Sequence, residues 1–314
     1  MRCNHTIHHK KHHYGWDNSI TPVISIKAGE TVEVATIDAS GGQLSEKSQD
    51  SDLLSLDFER VNPVSGPIFV EGAEKGDIIS INFLEFSPND SGWGWTANIP
   101  GFGLLADQFT DPKLYTWKYD SKNPVNSLYG LYGKVPLKPF CGTVGLALEE
   151  KGCHSVVPPR RVGGNLDIRD NCVGTTLYLP VEVNGALLSL GDTHAAQGDG
   201  EVCGTAIESP MQVCCKIDLI KGSEIKYPRL ETNGPVTNHF DVKGYQVTTG
   251  IGIDLMQAAR DAVSGMIDWL SKVTGMPALD AYMLCSVCGD LRISEIVDVP
   301  NWTVSFYFPK VVLD

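Results

Sequence analysis

The stretch Pro22-Val23-Ile24-Ser25-Ile26-Lys27-Ala28-Gly29-Glu30-Thr31-Val32-Glu33-Val34-Ala35-Thr36-Ile37 decides the fold class. Two β-branched runs, the second alternating apolar and polar residues, flank a polar turn that contains a glycine. That pattern predicts strands over 22–26 and 31–37. Asp77-Ile78-Ile79-Ser80-Ile81-Asn82-Phe83 repeats it after Glu74-Lys75-Gly76, and Ala186-Leu187-Leu188-Ser189-Leu190 reads as a further strand. Thirty-two glycines and eighteen prolines spread along the chain suit many turns, so most of the first 250 residues read as a β-sandwich or barrel. A helix is predicted over Asp254–Val273, where Leu255, Ala258, Ala262, Met266 and Leu270 recur at helical spacing. Asp254 can cap its start, and Gly275 followed by Pro277 can end it. A shorter helix is expected from Ala278 to Val287, and a strand over Trp302–Phe308.

The domain reading has a β-sandwich portion over 1–150, a β unit carrying the site motifs over 151–215, and an α+β portion over 216–314. The last strand is free to return to the sandwich. The formal charge of −13 disfavours nucleic acid or an anionic membrane as partner. No apolar run approaches the ~20 residues of a membrane span. The nine cysteines are odd in number and lack paired CxxC spacing, which suits a reduced, cytosolic compartment. The first thirteen residues hold five histidines, but Lys10 and Lys11 interrupt them and Tyr14-Gly15-Trp16-Asp17-Asn18 follows, as in a native segment rather than a tag.

Chemistry concentrates in Gly191-Asp192-Thr193-His194-Ala195-Ala196-Gln197-Gly198-Asp199-Gly200-Glu201, expected to be a loop after the 186–190 strand. Asp192 and His194, two apart, point the same way if the backbone is extended. They can then converge on a small cation such as Zn²⁺. In Gly163-Gly164-Asn165-Leu166-Asp167 the glycines permit close backbone approach, and Asp167 is a ligand or the orienter of a ligating histidine. Glu201 and Glu208 are the candidates for a proton-carrying carboxylate. His13 is the most credible ligand near the N-terminus. Cys203 invites a nucleophile reading but lies among small apolar residues, as a buried thiol does. No GxSxG elbow, phosphate loop or dinucleotide fingerprint is present.

With His13-Tyr14-Gly15-Trp16-Asp17-Asn18, Gly92-Trp93-Gly94-Trp95, Gly163–Asp167 and Gly191–Glu208 read together, the chain resembles the acetamidase/formamidase family nearly end to end, its acetamidase-like branch in particular. The resemblance implies a cytoplasmic homo-oligomer, a dimer or higher, that hydrolyses short aliphatic amides such as acetamide and formamide to a carboxylate and ammonia. It implies a mainly β fold: a jelly-roll-like sandwich, a second β unit and an α+β C-terminal portion. It also implies a divalent metal, zinc or else calcium, on His13, Asp167, Asp192 and His194, with Glu201 and Glu208 in acid/base roles. Trp16, Asn165 and Trp95 are then expected to touch substrate, with Trp93 a further candidate for the pocket wall. Two other readings stand beside it: a Cys203-nucleophile amidase, and a non-catalytic β-sandwich that binds a small ligand or metal.

Overall fold

Strand-forming sequence organises most of the chain into two six-stranded sheets. The computed structural model describes residues 3–89 and 92–314. Thr31–Ala35 turns Val32 and Val34 inward, as its alternation requires. It pairs with Met211–Ile220, which pairs with Ile78–Pro88. His5–Ile7 closes this sheet on one side, and Thr176–Pro180 and Arg229–Glu231 on the other. The second sheet runs Gly163–Asn165, Phe140–Gly145, Leu188–His194, Val64–Val70, His12–His13, and Ile24–Ile26 also joins Val64–Val70. Val32, Ile81 and Val213 of the first sheet share one buried cluster with Val64, Val144 and Leu190 of the second. The result is two layers on one core. The fold is mainly β, with 37% strand against 15% helix.

Two local expectations change. Ala186 and Leu187 have φ of 59° and 57°, so they form the turn that launches the strand rather than its first residues. The strand is Leu188–His194, and Gly191 to His194 are its second half, not a loop. The boundary at 150/151 does not divide the sheets, because Phe140–Gly145 pairs with both Gly163–Asn165 and Leu188–His194. Met211–Ile220 likewise runs through the boundary at 215/216.

The C-terminal portion follows its sequence closely. The long helix is Leu255–Thr274; the Asp254 carboxylate accepts from the Gln257 amide at 2.7 Å, and Gly275 ends it at φ 73°. Its buried face, including Ala262, Met266 and Leu270, packs on a three-stranded sheet of Tyr245–Gly252, Trp302–Pro309 and Asp290–Glu295. The final strand pairs only within that sheet and does not return to the sandwich. Ala278–Cys288, the second helix, is buried along most of its length. Lys113–Lys118 pairs with Trp93–Asn98, and Asn126–Tyr129 with Gly133–Pro136; Trp117 and Tyr129 are fully buried, and the Tyr129 hydroxyl donates to the Asp280 carbonyl at 3.0 Å. Cys3 and Cys214 form a disulfide and seven cysteines stay free. No helix among the described residues is long and apolar enough to cross a membrane.

A buried ion pair fastens the C-terminal portion to the body. Arg169 reaches both oxygens of Asp290, the second at 2.9 Å, and its Nε lies 3.4 Å from Asp199. The side chains of Arg169 and Asp290 are 6% and 1% exposed. Removing one partner of such a pair leaves an uncompensated buried charge. Asp290→Ala should therefore lower stability by about 3–5 kcal/mol in urea unfolding, and Arg169→Met with Asp290→Leu should recover most of that loss. Equal instability of the single and double variants would contradict the account.

Candidate active site

Strained backbone assembles the site. Among the described residues, six non-glycine residues have positive φ, and four of them meet here: Asn62 at 47°, Asp167 at 48°, Asp192 at 51° and Glu201 at 42°. Such conformations cost about 1–3 kcal/mol each and persist where the surroundings over-determine them. Cys141 faces Thr193 and Thr143 faces Gly191, which sets Gly142 opposite Asp192. A Cβ at Gly142 would stand 2.6 Å from Asp167 Oδ1 and 2.9 Å from His194 Cε1. Only glycine leaves room for those two side chains to approach the strand.

His194 is the hub. Gln197 Nε2 donates to the Asp167 carbonyl at 2.7 Å, so its Oε1, 3.0 Å away, is what faces His194 Nδ1. That arrangement assigns a proton to Nδ1. His194 Nε2 then points at Asp192 Oδ1 at 3.2 Å and Glu208 Oε2 at 3.0 Å. The Phe140 ring meets the imidazole edge-on at 4.9 Å and holds its plane. Asp192 Oδ2 lies 3.1 Å from the Thr143 hydroxyl and accepts from Asn62 Nδ2 at 3.3 Å. Asn165 Oδ1 shares both neighbours, at 2.6 Å and 3.2 Å. Glu208 Oε1 accepts from the Ala206 amide at 2.8 Å.

Two groups of ligand atoms result, Asp167–His194–Glu201 and Asp192–His194–Glu208, each within 4.8 Å. Asp167 Oδ1 is buried without a hydrogen bond, and Glu208 Oε2 is buried against His194 Nε2. An orphaned buried carboxylate oxygen is costly, and carboxylates crowded about one imidazole suit a cation. Zinc accepts imidazole nitrogen and carboxylate oxygen together, whereas calcium prefers an all-oxygen cage of 6–8 ligands. Zinc therefore fits these residues better than calcium does.

The other expected residues fall in different places. His13 lies outside both groups: its Nδ1 is 2.7 Å from the Gly15 carbonyl and its Nε2 2.9 Å from Ser189 Oγ. Both nitrogens are thereby engaged away from His194. Trp16 is buried in the main core and does not line the cavity beside the carboxylates. Trp95 and Asn165 do line it, along with Asp167, Asp192, Glu201 and Glu208. Trp93 packs against a smaller apolar cluster around Trp95 and is not part of the lining. Cys203 is fully buried with its thiol 3.6 Å from Thr205 Oγ1, and burial pushes its pKa up to about 11. A nucleophile needs the opposite shift and access to substrate.

A profile of the acetamidase/formamidase family matches residues 2–151 and 147–314. The chain belongs to this family. It is accordingly an amidase, a hydrolase that cleaves amide C–N bonds. A formamidase of Methylophilus methylotrophus is 28% identical to this amidase, covering 96% of this chain and 89% of its own. An acetamidase of Mycolicibacterium smegmatis is 29% identical, over 87% of this chain and 84% of its own. A γ-lactamase from Delftia acidovorans has the same fold, with a TM-score of 0.91 at 25% identity over 99% of this chain and 93% of that one.

The carboxylates of the amidase repel one another at neutral pH. Burial, reinforced by Asp192, pushes Asp167 up to about 7, and burial also pushes Glu208 up to about 7. Burial and Asp167 raise Glu201 well above the usual range. Burial opposes charge on His194, but Glu208 and Asp192 outweigh it and raise its pKa. Burial likewise opposes ionisation of Asp192, yet His194 holds that carboxyl below its ordinary value. The raised carboxyls bind protons in the folded state that the unfolded chain has released, and so does His194 at higher pH. Stability of the metal-free protein should therefore fall as pH rises from about 5 to about 8, while the contribution of Asp192 is constant across that window and is lost only at lower pH. Melting curves with a chelator present check this; rising or flat stability over that range counts against it. Gly142→Ala should lower turnover by about 10–100-fold, as displaced supporting groups do, with circular dichroism unchanged; full activity would show that the Asp167–His194 approach is dispensable.

Proposed function

We propose that the amidase is metal-dependent and cleaves short aliphatic carboxamides, acetamide and formamide among them, to a carboxylate and ammonia. One observation carries this reading: His194 Nε2 is aimed at Asp192 and Glu208 while Asp167 Oδ1 beside them stays buried and unbonded. His194, Asp192 and Glu208 would hold the ion, with Asp167 at its border. When bound, a divalent cation polarises an amide carbonyl and eases ionisation of water at neutral pH.

The remaining steps belong to the protein. Glu208 is fastened at both oxygens, to the Ala206 amide and beside His194, and suits holding rather than shuttling. Glu201 lines the cavity, is only partly buried and sits in a glycine-rich turn after Gly200. With its pKa raised by burial, it can take a proton from water and deliver it to the amide nitrogen, so that C–N cleavage releases neutral ammonia. Gln197 keeps the His194 proton on Nδ1, and Thr143 and Asn62 keep Asp192 pointing into the site. Asn165 and Trp95 border the place where substrate enters. The γ-lactamase likeness supports cyclic amides as a second substrate type for the same residues.

Ammonia release from acetamide should cease in a chelator and return with zinc. Glu201→Gln should retain zinc yet lose at least about 100-fold in rate, whereas Glu208→Gln should lose the metal itself. Full turnover in metal-stripped protein would defeat the proposal, and loss of zinc from the Glu201 variant would reverse the two assignments.

A further inference from the structure

The cavity is larger and more apolar than acetamide or formamide requires. Its volume is about 340 Å³. That exceeds twice the ~150 Å³ of a protein cavity that holds benzene, and it lies within the ~300–1,000 Å³ range of pockets that bury drug-sized ligands. Acetamide, smaller than benzene, leaves most of this space empty.

The lining is polarised. Carboxylates occupy one part, and Leu56, Phe58, Val61, Ile99, Phe102 and Val157 supply the apolar remainder. Phe58 and Phe102 are 47% and 43% exposed, and their rings stack 5.3 Å apart with planes 2° from parallel. Two half-exposed aromatic rings held parallel at a cavity offer a face for a further ring. The wall behind is firm. Leu56 and Ile99 pack on the cluster of Ala39, Leu44, Leu53, Trp95 and Ala97. Trp95 Nε1 donates to buried Asp38 at 3.0 Å, which satisfies the polar edge of the indole away from substrate. No lysine, arginine or histidine lines the cavity among the described residues. An anionic acyl group therefore finds no partner and meets carboxylates instead.

Resting on the amidase reading above, we propose that the preferred substrate is a neutral primary carboxamide with a bulky apolar acyl group, an aromatic or alicyclic ring, docked against Phe58 and Phe102. Formamide and acetamide are then minor substrates that reach the chemistry without filling the pocket. A single methylene in an apolar pocket changes kcat/KM on the order of tenfold, so a ring acyl group should gain more than one such factor.

The test measures ammonia release by the protein as purified, with zinc present, from formamide, acetamide, benzamide and cyclohexanecarboxamide. The expected kcat/KM for the ring amides exceeds that for acetamide by at least about 100-fold. Phe58→Ser with Phe102→Ser should narrow that gap about tenfold, through a higher KM for the ring amides. Acetamide or formamide as the best substrate overturns the proposal and leaves the amidase reading standing. A gap unchanged in the double variant overturns the role given to the two phenylalanines. Absence of ammonia from every amide instead sinks the underlying reading.

Discussion

The contact on which the site depends is the approach of one imidazole nitrogen to two carboxylates inside the protein. His194 Nε2 lies 3.0 Å from Glu208 and 3.2 Å from Asp192, with all three side chains nearly sealed from water. Positive charge at that point, a proton on the imidazole or a metal ion, relieves the repulsion between the carboxylates. A proton on His194 serves Glu208 and Asp192 but leaves Asp167 Oδ1 buried and bare. A divalent ion, as proposed, would serve all of them at once.

Such a cluster is destabilising by itself, so the fold has to hold it open. Left-handed backbone at Asp167, Asp192 and Glu201 aims the three carboxylates inward from three separate segments. The strand Leu188–His194 carries Asp192 and His194 and is paired on both sides, by Phe140–Gly145 and Val64–Val70. A central strand of this kind is the stiffest place available for a strained residue. The Arg169–Asp290 pair does similar work for the flanking segments, since Arg169 follows Asp167 by two residues and Asp290 Oδ1 accepts from the Asp199 amide at 3.3 Å. The α+β portion thus braces the active site without contributing a residue to the two ligand groups.

Much of this was legible in the sequence, and what was not has physical causes. The long helix was clear because its period, its Asp254 cap and its Gly275 stop agree with one another. Asp167, Asp192, His194, Glu201 and Glu208 were legible because short oxygen-bearing side chains among glycines have few structural uses. His13 misled because residue type alone does not say where a ring points. Its strand pairs beside Val64, and there its nitrogens go to Gly15 and Ser189. Gly142, Thr143 and Asn62 gave no signal, being ordinary residues that become meaningful only when strand pairing sets them against Asp192. Gln197 had one available clue, its place three residues after His194 in the same motif. Phe102 had a signal, the aromatics interleaved with glycines around Pro100-Gly101-Phe102-Gly103, but Leu56 and Phe58 come from a segment that reads as an unremarkable loop.

Anomalous X-ray scattering at the zinc edge, from crystals of the protein as purified, tests the central claim most directly. The account predicts one strong peak bounded by His194 Nε2, Asp192 and Glu208, at about 2.0–2.2 Å from each ligand atom. A peak elsewhere, or a protonated His194 with no ion beside it in a protein that turns over amides, would contradict it.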